Sequence, residues 1–448
     1  MGHPFREFLK DLRTDFNAAP TCYGGSAGDF NTTQACPACA DVAVVGGGLL
    51  GLSTALEIAM AGRTVVVLEA QTIGSGQSMR SGGQLWPGFD IPLSGLVEMF
   101  GETAAADAWH RVHDALGTVH QRAATAGGCE FRPGLLLVSK SDSQASWIEE
   151  EARLLERLEI GWGTYVGTGD LRKRHINSPL YNNALYFRGD DFGPKYGHIN
   201  PRSFTFAVAR LAAAAGAILC EQCRATGLNH DPAGGYQLQT TSGSVKAAQV
   251  VLATGIGGIR GVGLPRAFVP AQTLILCTAP ISAELANELL PSGACFCDAS
   301  DIAMNYGRLI DAGDGSGRFR LAFGGADALV QLQLALNVGR IRREISSVFP
   351  QLAEIEIEST WGGQCDLSRS GLPMLLTPES GLYYAAGFSG QGLVTTTLYA
   401  SAIAQAMTGR SREGLETLCT LNPSPYARSG LVAIGQAAFT AVQAALFA

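Results

Sequence analysis

The chain has 448 residues, a net charge of −7, and 46% hydrophobic against 16% charged residues. That length exceeds one ordinary core and predicts two domains. No basic block occurs, which argues against nucleic acid as a partner, and the 56 glycines are not periodic, which excludes a collagen-like fibre.

Residues 1–40 are irregular, with Pro20, Gly24, Gly25 and Pro37, and read as an arm over the first domain. The first residues are mixed polar and charged and lack the apolar core of a secretory signal. Together with 11 cysteines scattered without a framework, this predicts reduced thiols in a cytoplasmic protein. The Cys36–Cys39 CxxC has no second pair beside it. Asp41 to Val45 is a short apolar run, as in a buried parallel strand. A helix is expected over 49–61, ended by Gly62, and a second buried strand over 64–68. The three make one right-handed βαβ unit.

From about 90 the character changes, with helices expected at 101–126 and 144–158 around a strand at 134–138. The parallel pattern returns near His198: a helix over 201–215, strands at 217–220 and 236–241, a turn at Ser242-Gly243, and a buried strand at 250–253. Strands and one helix (327–348) follow, then a strand at 382–386 and a helix at about 393–407. The fold class expected is α/β, a Rossmann-like nucleotide-binding domain (41–89, 197–268 and 355–428) interleaved with an α+β domain on a mostly antiparallel sheet (90–196 and 269–354). Residues 429–448 carry no charged side chain. They read as a C-terminal helix packed on the protein or a partner, with a peripheral membrane contact as the less favoured alternative.

Gly46-x-Gly48-x-x-Gly51 opens the first helix. The first glycine permits a tight turn, the second lets backbone approach a pyrophosphate, and the third lets helix and strand pack closely. The helix N-terminus, with Leu49 and Leu50, offers free N–H groups and a positive dipole end. Glu69 lies at the end of the next strand, followed by Ala70, where an acid can accept from ribose hydroxyls and disfavours a 2′-phosphate. The motif alone does not choose between FAD and NAD, but it occurs once. The loop from Gly74 onward, including Gly76, Gln77, Ser78, Arg80, Ser81, Gly82, Gly83 and Gln84, is too rich in glycine and serine for an element interior. Such a loop can lay N–H groups along a diphosphate or polar ring, with Arg80 as a cation for phosphate.

Residues 41–69 with this loop resemble the D-amino-acid-oxidase-type family of FAD-dependent amine oxidoreductases, which includes glycine and sarcosine oxidases. The Arg-Ser-Gly-Gly-Gln end of the loop is most similar to the γ-glutamylputrescine-oxidase branch. The resemblance extends over about 38–428. It takes in Ala225 near the adenine, the strand-to-loop crossing at Ala253, Thr254 and Gly255, the W-x-G segment at Trp361 and Gly363, and the C-terminal flavin motif Gly387, Phe388, Ser389, Gly390, Gln391 and Gly392.

The resemblance implies FAD, held non-covalently. It also implies a small-molecule amine as substrate, hydride transfer to flavin N5, imine hydrolysis and reoxidation by O₂ to H₂O₂. By alignment Arg320 falls where sarcosine oxidases carry a lysine for O₂ reduction, and Gln391 stands where relatives often have histidine. Tyr306, Arg308 and Trp86 are candidates for the substrate pocket. No residue stands out as a general base, since the flavin carries the hard chemistry. His110-x-x-His113 is spaced for one helix face, but no third metal ligand accompanies it, so solvated histidines and no metal are expected. An amine or amino-acid dehydrogenase passing electrons to a quinone or protein, and a flavin-binding protein without amine chemistry, remain alternatives. The oligomeric state stays open.

Overall fold

Four consecutive apolar residues, Val42 to Val45, are all buried at the end of strand β1 (Cys39–Val45). A run apolar on both faces must be covered on both, as in the centre of a parallel sheet. The following helix, α1 (Leu49–Met60), is buried along almost its whole length. A helix apolar all round needs neighbours all round. Strand β2 (Val65–Leu68) then returns parallel to β1, Val42 opposite Val65. The computed structural model describes residues 15–422 apart from 17, 25–29, 189–192, 256, 258, 260–261, 263–267, 300–303, 329–330 and 369. The helix expected at 429–448 and much of the N-terminal arm lie outside the described residues.

Helix α2 (Glu102–Ala126) and strands β3 (Leu135–Val138), β4 (Gly163–Val166) and β5 (Ala184–Phe187) follow. Helix α3 (Pro201–Ala214) starts with proline in its first turn, and the Asn200 side chain accepts the amides of Arg202 and Ser203. Both devices satisfy a helix start. Strands β6 (Ile218–Cys220), β7 (Ala225–His230), β8 (Tyr236–Thr240) and β9 (Gly243–Leu252) then complete most of the first sheet. Its order is β7-β8-β9-β1-β2-β6. Strands β1, β2, β6 and the end of β9 are parallel, while β7 and β8 form an antiparallel edge.

The second sheet uses β10 (Phe268–Thr278), β11 (Cys295–Asp298), β12 (Asn305–Asp311), β13 (Phe319–Ala328) and β14 (Ile357–Ser368), in the order β14-β10-β13-β12-β11-β3-β5-β4. All its pairings are antiparallel except β3 with β11. The strand at 357–368 thus pairs with β10 from Phe268 to Thr278, so the chain leaves the second sheet after Ser368 and not at 355. Strand formation also runs on to Ala328, which moves the expected helix start from 327 to Gln331. Strands β15 (Met374–Glu379) and β16 (Leu382–Ala386) rejoin the first sheet, β16 parallel to β9. Helix α4 (Gly392–Met407) then packs across α1 and α2.

Arg122 on α2 is buried between these helices. It donates to Glu57 at 2.6 Å and to Ser53 at 3.0 Å, both on α1. Leu52 and Ile58 on α1 are fully buried, and truncating either to alanine costs about 3 kcal/mol. Among the described residues no helix is long and apolar enough to cross a membrane.

Candidate functional site

The turn after β1 is built by glycines. Gly46 has φ +110°, and a Cβ there would meet the Ala253 carbonyl at 2.5 Å. A Cβ at Gly51 would collide with the Gly46 carbonyl. The helix therefore starts as close to the sheet as backbone allows, with Gly48 as an N-cap that offers no side-chain acceptor. The Ser78 hydroxyl accepts the Leu49 amide at 2.9 Å, and the Gly74 amide donates to Gly47 at 2.9 Å, so the glycine- and serine-rich loop closes over the helix start. Glu69 accepts from Gly47 at 2.7 Å and from Gln71 at 2.8 Å.

A cavity of about 420 Å³ runs from this turn to the second sheet. Gly48, Leu49 and Leu50 line it at one side, with Gln77, Ser78, Ser81, Gly82 and Gln84 from the loop. Gly255, Phe388, Ser389, Gly390, Gln391 and Gly392 line it as well, and Thr273, Met304, Tyr306 and Gly325 face it from the second sheet. Any side chain at Gly82 or Gly324 would strike the Tyr306 ring, so both glycines give that ring its place. The Tyr306 hydroxyl lies 3.3 Å from that of Thr273.

The C-terminal wall is a strained turn. Ser389 adopts φ +47°, a conformation uncommon for residues other than glycine. It is held from both ends: the Ser389 amide donates to the Asp366 carbonyl at 3.2 Å, and its hydroxyl accepts the Ser368 amide at 2.9 Å. One Asp366 carboxylate oxygen accepts the Gly387 amide at 2.5 Å. Burial pushes the Asp366 carboxyl up from its ordinary value, against that hydrogen bond. Gln391 is the N-cap of α4 without a side-chain cap bond, so the positive end of the helix opens on the cavity.

These surroundings fit a dinucleotide. The turn has no room for a side chain, Gly48 offers no side-chain cap of its own, and the hydroxyls of Ser81, Thr254 and Ser368 are buried without partners among the described residues. Buried hydroxyls without partners are rare unless a ligand or water meets them.

Several expected residues lie elsewhere. Arg320 does not line the cavity: its guanidinium is paired with Glu358 at 2.5 Å and donates to the Ala312 carbonyl at 2.6 Å. Glu358 stands on the edge strand β14, with β10 between it and the strand of Arg320. Arg80 stands outside the lining too. It donates to the carbonyls of Gly362 at 2.6 Å, and of Phe16 and Ala19 at 2.7 Å, which makes it a clamp between segments. Trp86 packs against Phe187 with centroids 6.3 Å apart, outside the cavity lining.

Arg308 is buried behind the lining, 3.1 Å from His198 Nδ1, and two of its nitrogens have no hydrogen-bond partner among the described residues. Its charge and burial hold His198 neutral, well below the ordinary histidine value, burial being the larger cause. Gly83, at φ +84°, leaves room for the Arg308 guanidinium. Trp361 donates from Nε1 to the Arg80 carbonyl at 3.1 Å, and Gly363 leaves room for the Gln77 amide. Gly76, Glu69, Ala70, Ala225, Ala253, Thr254 and Gly387 stand outside the lining. His113 is stacked on Trp162 at 3.6 Å and lies 2.7 Å from the Tyr196 hydroxyl, so it is packed and not solvated. Asp90, Thr273, Met304, Asp366 and Thr396 are lining residues that sequence reasoning missed. Only Asp366 carried a signal, lying five residues after Trp361 in the W-x-G segment.

A family model described as "FAD dependent oxidoreductase" (DAO) matches residues 41–406. Among curated proteins, the chain is 29% identical over 402 residues to γ-glutamylputrescine oxidoreductase of Escherichia coli, covering 89% of this chain and 90% of that one. It is 26% identical over 376 residues to the probable oxidoreductase OrdL of Haemophilus influenzae, covering 83% of each. Among solved structures, glycine oxidase from Geobacillus kaustophilus matches with TM-score 0.65 and 21% identity over 84% of this chain and 96% of that one. L-Proline dehydrogenase from P. horikoshii matches with TM-score 0.67 and 19% identity over 84% and 94%. At those identities the two structures establish the fold.

Proposed function

The chain belongs to the DAO family of FAD-dependent oxidoreductases, and from that premise we propose that it is an oxidase of the C–N bond in an amine, with a γ-glutamyl amine as the favoured substrate, O₂ as electron acceptor and H₂O₂ as product. FAD, when bound, supplies the hydride acceptor and the route for electrons to O₂. The observation that carries the reading is the shared cavity. The glycine turn at Gly48, the loop at Gln77 and Ser78, and the start of α4 meet Tyr306 and Met304 of the second sheet in one space.

The chain's own residues then have distinct tasks. Gly48, Leu49 and Leu50 bring the N-terminus of α1 to a diphosphate. Gly392 and the amides behind it bring the N-terminus of α4 to developing negative charge. Burial disfavours the charged form of the Asp366 carboxyl, and the Gly387 N–H occupies one of its oxygens, which weakens its grip on an ammonium group. Only the free amine has the lone pair that expels hydride, so a weak grip on ammonium favours reaction. Tyr306, between Gly82 and Gly324, walls the side of the cavity that belongs to the second sheet. The preference for a γ-glutamyl amine rests on the 29% identity to γ-glutamylputrescine oxidoreductase over nearly the whole of both chains.

Anaerobic titration of the purified flavoprotein with γ-glutamylputrescine, sarcosine, glycine and D-amino acids tests the reading. Bleaching of the flavin by γ-glutamylputrescine at the lowest concentration, and stoichiometric peroxide on admitting air, are expected. Bleaching without peroxide would make it a dehydrogenase. No bleaching by any amine would remove the amine chemistry.

A further inference from the structure

Cys22 and Cys277 lie 255 positions apart in the chain, yet their Sγ atoms are 2.7 Å apart. Two thiols at that separation stand well inside ordinary sulfur contact and close to the covalent length of about 2.05 Å. Cys277 is fully buried on β10, and Cys22 is half-buried on the N-terminal segment. We propose that these two cysteines are a redox-modification site: peroxide joins them in a reversible disulfide that ties the N-terminal segment to the second sheet.

The chemistry balances with peroxide as the oxidant. The more accessible Cys22 thiol attacks peroxide, the O–O bond breaks, and Cys22 becomes a sulfenic acid with release of one water. The Cys277 sulfur then attacks the Cys22 sulfur. The S–O bond breaks, and a second water leaves with the thiol proton. The hydrogen bond with Cys22 and burial push the Cys277 thiol well up, while the Arg320 guanidinium opposes them and the Glu358 carboxylate paired with it adds to them. Arg320, expected at the cofactor, thus lies where its charge acts on the resolving sulfur of this pair.

The tie matters because of what the segment holds. The Phe16 carbonyl accepts from Gly362 at 2.8 Å and from Arg80 at 2.7 Å. The Tyr23 hydroxyl, next in sequence to Cys22, donates to the Ser81 carbonyl at 2.7 Å. The Tyr23 ring meets Trp361 edge-on at 5.2 Å, and the Arg308 guanidinium lies 5.0 Å from its centre. Ser81 lines the cavity, so the segment backs the cavity wall, and the disulfide prevents it from fraying away. Exposed loops and terminal segments are the first parts of a protein to open.

The holoprotein treated with a small excess of H₂O₂ and digested under non-reducing conditions tests the proposal, and added peroxide does so whether or not the protein makes its own. A peptide crosslinked between Cys22 and Cys277 is expected, cleaved by dithiothreitol. A thermal midpoint raised by about 5 °C and slower release of FAD fluorescence are expected with it. Cys22→Ser should lose the crosslink and both shifts. Because Cys277→Ser alters a buried position, the peptide map of the wild-type protein is the deciding measurement. Cys22 recovered as a free thiol, as a sulfinic acid beside a free Cys277, or joined to another cysteine would overturn the pairing. A crosslink that leaves the midpoint and FAD release unchanged would overturn its role in holding the segment.

Discussion

One carboxylate oxygen of Glu69 accepts the Gly47 amide at 2.7 Å, across the turn that starts the first helix, while the other accepts the Gln71 amide at 2.8 Å. The acid at the end of β2 therefore fixes the shape of the turn. Glu69→Gln replaces one acceptor with an NH₂ group that faces an N–H donor. A hydrogen bond to a charged partner contributes about 1.5–3 kcal/mol, so FAD should bind on the order of ten- to a hundredfold more weakly. The fluorescence of released flavin against protein concentration measures this. Unchanged affinity would mean that the turn keeps its shape without the carboxylate.

Gly51→Ala should be more severe. The added methyl would occupy the Gly46 carbonyl oxygen's position, so α1 must move off the sheet. Overpacking of this kind costs about 1–3 kcal/mol, and the displacement falls on the helix end that lines the cavity. The variant should purify with little or no bound FAD, read from the visible absorbance, while its far-ultraviolet circular dichroism stays near that of the parent. A fully yellow Gly51→Ala protein would exclude the close packing of turn and helix.

What the sequence disclosed follows from the range of the forces. The unit from Asp41 to Leu68 was legible because a buried run, a glycine turn and an apolar helix are written in consecutive residues. Phe388–Gly392, which the family pattern singled out, line the cavity. Pairing across long separations was not. Nothing within 357–368 announces that this strand pairs with 268–278 and not with the first sheet. Arg320 and Arg80 are isolated cations in the sequence. Their engagement by Glu358, and by the carbonyls of Gly362, Phe16 and Ala19, exists only once those segments have met. Asp366 and Thr273 reach the cavity through the same strand pairing.

Arg122 ties α2 to α1 and α4. It donates to Glu57 at 2.6 Å, to Ser53 at 3.0 Å and to Thr397 at 3.5 Å, from a buried position. Arg122→Ala leaves Glu57 without its cation and the two hydroxyls without their donor. Breaking a buried pair from one side costs about 3–5 kcal/mol; Glu57 is partly exposed, so the lower end, about 3 kcal/mol, is expected. Chemical denaturation should show the midpoint shift at unchanged slope. Arg122→Lys keeps the charge without the planar fork and should fall between. A loss under about 1 kcal/mol would mark the pair as no stronger than a surface one.

His198 gives stability a dependence on pH with a definite sign. It is fully buried, its Nε2 lies 3.2 Å from the Gly293 carbonyl, and its Nδ1 faces Arg308 at 3.1 Å. Burial first, and then the Arg308 charge, keep the ring neutral well below the ordinary value of 6.5. In the unfolded chain the same ring takes up a proton near that value. Below it the unfolded state binds the extra proton and the folded state does not, so stability is full above about pH 6.5 and falls as pH drops toward the folded value. His198→Gln removes the titration and can still accept from Arg308 or donate to Gly293, though not with the same geometry. The variant should be less stable than the parent at neutral pH, and its thermal midpoint should decline less steeply between about pH 6.5 and 5. Parallel declines in the two proteins would show that another group sets the acid limit.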